Sequence, residues 1–447
     1  MAKTDTKTVS IVLLLYFLVV SGLIFYIITK YREEYTRCNI INKNTNDNIN
    51  LITAGAQVKL DTNMDTAIWS DGTDVSQVDI PCLVNYKIKT AYNCCAVNSF
   101  KNSFVSDCAL KHCIQSGAKC LDFEIYSVEG KPVVGLSSRE TNINMKESYN
   151  KLDFFKAMKI VNSQMSSNSI KNANKELPMI IHLRMKTKNR QVYDIMARDI
   201  YNAFQNKLLD SKFSYLNQNN IKDGEQNTLS IRDKPLIFQK LTVGENQGSG
   251  TSIHHHFRNK VIIIVNVKSI FNISTNEPTV FEQFLEKNGQ PGMLLNYANL
   301  IIPSRWADQK NDVEIITSSD KEAFKIDTQD KLYFTSPLVS NSSKNVNFVD
   351  HHNLGFQMVG LSFQNFKYSR DIDVNEDLTE DSQIAKYHKI FKNEASYIRK
   401  IPPPTEVTLT NEEETSNLVK YFYTSKVPTS QAAASITYMG FASDWTS

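Results

Sequence analysis

The chain has 447 residues, enough for one large domain or two to three ordinary ones. Hydrophobic residues make up 41% and charged residues 22%, so a sizeable core can be buried and wholesale disorder is excluded. With 50 basic against 47 acidic residues the net charge is +3, which supplies no global field for nucleic acid, and no nucleic-acid partner is expected.

Residues 1–8 form a short polar tail. Residues 9–29 follow as a transmembrane anchor: from Val9 to Ile28 the run VSIVLLLYFLVVSGLIFYII carries no charge. About 20 such residues match the hydrocarbon thickness of a bilayer. A cleaved signal peptide has an apolar region of only about 7 to 15 residues and a small-residue cleavage site, so an uncleaved anchor is the reading. Tyr26 fits an interfacial role, whereas Tyr16 sits deeper. Lys3 and Lys7 precede the run and Lys30, Arg32 and Arg37 follow it, so the count of cations slightly favours a cytosolic large domain. Residues 30–77 read as a juxtamembrane stalk, a solvated spacer without a sustained period.

Six of the seven cysteines fall between Cys82 and Cys120, with Cys38 apart near the anchor. Three accounts are open. An even cluster suits a disulfide framework, a metal site would add His112 but lacks CxxC spacing, and free cysteines are often simply buried hydrophobes. The sequons Asn272-Ile-Ser274 and Asn341-Ser-Ser343 are glycosylated only in a lumenal topology.

From residue 78 strands alternate with helices. LVNYKIKT (83–90), KCLDFEIYS (119–127), KPVVGL (131–136), ELPMIIHLRM (176–185), KPLIFQKL (234–241), KVIIIVNVK (260–268), LLNYANLII (294–302), KLYFTSP (331–337) and GFQMVGLSF (355–363) read as strands. Helical spacing marks 103–116, 152–165, 190–209, 277–289 and 382–400. Such alternation predicts parallel strands with crossover helices, and over residues 78–400 one closed barrel. A doubly wound sheet is the competing architecture, but no GxGxxG follows an early strand. Residues 401–447 are a peripheral C-terminal tail.

Four segments in order resemble the phosphoinositide-specific phospholipase C family: YKIKTAYNCC (86–95), GAKCLDFEIYSVEGKPVVGLSS (117–138), LPMIIHLRM (177–185) and NLGFQMVGLSFQN (353–365). The last is similar in residue type and spacing over a dozen positions to the family's Y-region strand. The resemblance implies a distorted (β/α)8 TIM barrel behind a single N-terminal transmembrane helix, with an X-like part at 78–240 and a Y-like part at 325–370.

What the resemblance implies for chemistry is mixed. The family uses two histidines as acid–base groups and Ca²⁺ as Lewis acid. Those histidine positions fall on Tyr92 and Ser138, neither of which shuttles protons near neutral pH as imidazole does. Asn93, Asp122 and Glu124 occupy three calcium-ligand positions, and Asp122 and Glu124 alternate on one strand, so they share a face. The fourth ligand position, an acid in the family, falls on Arg184, whose fixed charge repels Ca²⁺ and suits a pairing with Asp122 or Glu124. The family's phosphate-binding lysines map to Ile264 and Asn266. The bacterial branch of the family replaces calcium with arginine, so Arg184 alone does not remove activity. Among other imidazoles, His254, His255 and His256 lie in a Gly/Ser loop and read as solvated, with a metal or proton-shuttling role as the alternative. His351 and His352 precede the Y-like strand, facing either the barrel mouth or solvent, and His182 reads as a buried, hydrogen-bonded side chain.

Three functions follow. The first is a membrane-anchored, phospholipase-C-like barrel with a degenerate site, serving as a non-catalytic binding or structural module, a pseudoenzyme whose partners are the lipid membrane and proteins at a membrane or capsid. The second is a working phosphoric diester hydrolase on phosphoinositides or related phosphodiesters. The third is a structural tether between a membrane and a viral protein shell. No cofactor is expected beyond a Ca²⁺ site that Arg184 compromises. The Asn and Lys bias with an anchored phospholipase-like domain is reminiscent of large DNA viruses, which makes a virion component one expected setting.

Overall fold

The computed structural model describes residues 6–55, 82–166, 176–218, 235–239, 242–244, 251–253, 256–271, 279–337, 345–365 and 396–399, with Ile384, Tyr387 and Phe391. Eight strands make the frame: β1 (Thr90–Ala91), β2 (Cys120–Val128), β3 (Met179–Met185), β4 (Val261–Asn266), β5 (Leu300–Ile302), β6 (Ala307–Asn311), β7 (Leu332–Ser336) and β8 (Met358–Leu361). The ladder runs β5–β4–β3–β2–β1–β8–β7–β6, and every pair in it is parallel. That order, with β1 joined to β8, rolls the sheet into a distorted (β/α)8 barrel. The seam is between β5 and β6. Among the described residues no ladder joins them, and only Pro303 to Trp306 separates them, after a cis Ile302–Pro303 bond. A parallel pair needs a crossover of a dozen residues or more, so this link is too short to make one.

Crossovers elsewhere follow the apolar periods of the sequence. After β1 comes α2 (Asp107–Gln115), with Ser106 accepting from Cys108 N–H as its N-cap. After β2 the chain adds a hairpin strand, Lys131–Gly135, antiparallel to β2, before α3 (Phe154–Ser166). After β3 comes α4 (Arg190–Phe204), which buries Val192, Tyr193, Met196, Ala197, Ile200, Ala203 and Phe204. The stripe at i, i+4, i+8 of 190–209 therefore faces the barrel wall, although the helix ends at Phe204 rather than Leu209.

Three expectations need correction. Of KPLIFQKL, the described residues 235–239 hold no strand: Leu236–Phe238 is a 3-10 turn with Leu236 and Ile237 buried, so this apolar run serves local packing. The helix expected over 382–400 is interrupted, since Tyr397–Arg399 pairs antiparallel with Tyr86–Ile88 beneath the barrel. Of that segment Ile384, Tyr387 and Phe391 are described and buried, and the rest lies outside the described residues. The stalk is not a solvated spacer at its start. One helix, α1, runs unbroken from Thr6 to Gly55, and Tyr31, Glu34, Cys38 and Ile41 recur on one face. Ile41 is buried among Val97, Phe104, Cys108 and Ala109, and Cys38 is disulfide-bonded to Cys108.

That bond decides among the cysteine readings. Cys94, Cys95, Cys113 and Cys120 are buried in the core and Cys82 is half-buried, and none of the five forms a disulfide among the described residues. Among the described residues no His, Cys, Asp or Glu cluster is placed to hold a metal. His112 is buried on α2, where loss of solvent pushes its pKa down to about 4. The tail 401–447 lies outside the described residues.

Candidate functional site at the barrel mouth

Parallel register sets the site. Glu124 of β2 lies level with Arg184 of β3 and Asn266 of β4, and one step deeper Asp122 lies level with His182 and Ile264. Alternation along a strand turns both rows to one face. Asn93 follows β1 with φ 44°, a left-handed conformation that Asn tolerates, and its N–H reaches Asp122 Oδ2 at 3.0 Å.

Arg184 is the hub. Its Nε donates to Asp122 Oδ1 at 2.9 Å and its Nη2 to Asp122 Oδ2 at 2.8 Å. Nη1 donates to Glu124 Oε1 at 2.7 Å, and Nη2 also reaches Asn93 Oδ1 at 2.7 Å. The guanidinium lies 4.5 Å from the centre of the Tyr92 ring. His182 Nδ1 meets Asp122 Oδ1 at 2.7 Å, its ring stacks on Phe334 at 4.1 Å, and Asn266 Nδ2 approaches Nε2 at 3.3 Å. Neutral His182 with the proton on Nδ1 satisfies both contacts. Tyr126 donates to Glu124 Oε2 at 2.8 Å. Asn266 also donates to Gln309, which bonds Ser336 at 3.2 Å.

The cluster is dry. Asp122, Glu124 and His182 are 0% exposed and Arg184 is 2% exposed. Burial alone would raise the pKa of Asp122, but the adjacent Arg184 charge and the His182 hydrogen bond prevail and hold it well below the ordinary value. Burial works against the Arg184 cation too, yet Asp122, Tyr92 and Glu124 hold its pKa above normal. His182 goes the other way, because burial lowers it despite Asp122. Tyr92 is pushed up by burial. At neutral pH the core of the mouth is thus one guanidinium, a carboxylate at Asp122 and an uncharged imidazole.

The mouth is also roofed. The segment 136–148 after the hairpin crosses it: Lys186 Nζ donates to the Glu140 carbonyl at 2.6 Å, and Gln309 reaches Glu140 Oε1 at 3.4 Å. Ser138 lies in this roof, where its hydroxyl donates to Glu147 at 2.6 Å. Gly360 on β8 leaves room within: a Cβ there would sit 3.1 Å from Phe334 Cζ and 3.2 Å from Tyr92 Cβ. Phe334 and Tyr92 therefore fill lumen that a side chain on β8 would contest.

The structure brings Asn93, Asp122, Glu124 and Arg184 together, with Tyr92 against them. It does not bring Ser138 into the cluster. The other imidazoles lie elsewhere. His351 is buried between Thr335 and Asp312, at 3.0 and 2.9 Å, and burial pushes His352 down to about 3. His256 contacts Asp210 at 3.3 Å, ahead of β4 and so at the opposite end of the barrel, while His254 and His255 lie outside the described residues. Tyr126, Gln309, Glu140 and Lys186 belong to the mouth but were not singled out from the sequence. Tyr126 stands two residues from Glu124 on one strand, so the period of two would have marked it.

The donor set does not fit calcium. The oxygens of Asn93, Asp122 and Glu124 that would ligate it are taken by Arg184, and a guanidinium at the centre repels a divalent cation.

No family model matches the chain, and no curated protein matches it. Solved structures do. The chain is similar to PLC21 of L. pealei and to PLC21 of S. officinalis, each at 14% identity and TM-score 0.47, over 72% of this chain and 38% of theirs. It therefore spans well under half the length of either PLC21 chain. It is also similar to the Ca²⁺-dependent phosphatidylinositol-specific phospholipase C from Streptomyces antibioticus, at 9% identity and TM-score 0.38, over 72% of this chain and 99% of that one. A calcium-dependent phosphoinositol-specific phospholipase C from a Gram-negative Pseudomonas sp. matches at 9% identity and TM-score 0.34, over 64% and 91%.

Proposed function

We propose that this chain is a membrane-anchored phospholipase-C-like barrel that does not cleave phosphodiesters and serves at its membrane as a binding or structural module. The single observation that carries the reading is the occupation of the mouth by its own residues. Arg184 takes up the oxygens of Asp122, Glu124 and Asn93, and no part of that cluster is more than 2% exposed. A reacting phosphodiester needs an acid–base group within hydrogen-bond reach. Tyr92 and Ser138 stand where the resemblance places imidazoles, and His182 is sealed between Asp122 and Phe334. General acid–base groups each contribute about 10² to 10⁴ in rate, so losing two leaves little beyond positioning.

Anchoring rests on α1. Its stretch from Val9 onward is long and apolar enough to cross a bilayer, and the apolar window is 0% buried against the barrel. The Cys38–Cys108 bond supports placing the barrel on the oxidising side of that membrane, since disulfides persist there and not in a reducing cytosol. This outweighs the slight excess of cations after the anchor, which pointed to the cytosolic side.

The test is release of inositol phosphate by the purified full chain in vesicles containing labelled phosphoinositide. No turnover above background is expected, with or without Ca²⁺. Turnover abolished by Asp122→Asn would overturn the reading and establish a phosphodiesterase.

A further inference from the structure

The helix that anchors the chain also touches the barrel, and the two contacts overlap. Tyr26 lies inside the uncharged run, about 3 Å along the helix axis from its last apolar residue, Ile28. Its hydroxyl is 2.9 Å from that of Tyr149, which directly follows the mouth roof. Tyr149 packs on Phe104 at 5.2 Å, and Phe104 packs on Tyr31 of α1 at 6.1 Å. Further along, Cys38 is bonded to Cys108 and Ile41 is buried beside it. No break in α1 separates the apolar run from these contacts.

We propose that α1 is a rigid strut, not a loose tether, and that it holds the face of the barrel presented by Met145 and Tyr149, with the buried Phe104 packed behind Tyr149, against the headgroups of the bilayer it spans. The proposal rests on the reading of α1 as a membrane span and goes beyond it by fixing the orientation of the barrel. If Tyr26 lies at the membrane interface, as tyrosines at the ends of spans do, its hydrogen bond sets Tyr149 at the same depth. Met145 on the roof is 64% exposed and Tyr149, four residues on, is 41% exposed, so an apolar side chain and an aromatic ring are presented together on this face. Lys101, Lys146 and Lys151 flank this face; Lys101 lies 3.5 Å from Glu147 and Lys151 lies 3.8 Å from Glu129. Aromatic rings with lysines beside them suit the headgroup layer, where an apolar body and a charged tip are both accommodated. The occupant is the lipid surface, because the same helix that enters the bilayer is continuous with the contact.

Depth-dependent quenching tests this in the full chain reconstituted in phosphatidylcholine vesicles with acyl chains brominated near the headgroup. Met145→Trp is compared with Ile326→Trp, an exposed site on the helix Lys321–Asp330, and the signal of the unsubstituted chain is subtracted. Quenching of Met145→Trp about twofold or more above Ile326→Trp is the expected result, as for a side chain lying in the headgroup boundary. Resistance to alkaline carbonate extraction is measured on the same vesicles. A chain that extracts refutes the anchor itself. A chain that stays in the membrane with equal quenching at both sites refutes the strut alone.

Discussion

The two ends of the barrel bury cations in opposite ways. At the mouth, Arg184 is surrounded by two acids and an amide and keeps its charge. At the floor, Lys89 and Lys119 stand just before β1 and β2, at 0% and 2% exposure, and burial pushes each down to about 7. Lys119 donates to the Leu177 carbonyl, and Lys119 N–H is held by the Lys89 carbonyl. A guanidinium cannot shed its proton, so the fold must supply it with carboxylates; an ammonium can, and the Lys119 amine is held by a backbone carbonyl instead. The comparison teaches that charge at the mouth is a structural commitment, one that a merely apolar plug would not have required.

The largest test of that contrast is Arg184→Met. It leaves Asp122 and Glu124 buried without their cation, and a loss of about 3 to 5 kcal/mol in denaturant unfolding of the full chain in detergent is expected. A loss below about 1 kcal/mol, the scale of a surface pair, would mean that the cluster contributes little and the roof closes the mouth unaided.

The next is the alkaline limb of stability. Folded Lys89 and Lys119 bind fewer protons than the unfolded chain between pH 7 and the ordinary lysine value. Stability there rises with pH, by up to about 2 kcal/mol per lysine from pH 7 to 9, and falls again as the pH drops towards 7. The mouth responds at the other end of the scale. The pKa of Asp122 is depressed by folding, so its contribution is present above the ordinary carboxylate value and is lost as acid titrates it. Unfolding curves between about pH 2 and 9 check both limbs. A curve that is flat from pH 7 to 9 would contradict the deprotonated floor.

The smallest effect sharpens the same point. Lys119→Met removes a floor amine and with it that amine's share of the pH dependence, so a shallower alkaline slope is expected, with no loss of stability on the scale of Arg184→Met. A cost matching that of Arg184→Met would show that the two ends do not differ.

Much of the barrel was legible because its strands are buried on both faces and so appear as apolar runs, as in MIIHLRM and VIIIVN. The strand β6 was not. Its sequence is ADQKN, because Gln309 turns to the polar mouth while Asp308 lies near Lys268 and Lys310, at 3.7 and 3.4 Å. A strand that carries such work shows no hydrophobic period. At the mouth, Asp122, Glu124 and Arg184 were found through their motif positions, while Gln309 and Glu140 come together only through tertiary contacts. The pairing of Cys38 with Cys108 was hidden for another reason: with seven cysteines, spacing does not specify partners. The stripe Tyr31, Glu34, Cys38 and Ile41 was present to be read, but the polar residues around it obscured its period.

The disulfide has a consequence for how the molecule comes apart. It spans 70 residues of sequence, and within that interval lies the whole stretch 56–81 between α1 and the barrel. A protease that cuts in this stretch severs the polypeptide without freeing the barrel, because the covalent path through Cys38 and Cys108 bypasses the cut. Shedding from the membrane then takes two agents in either order, a protease and a reductant. The nicked protein runs as one species on a non-reducing gel and as two on a reducing one.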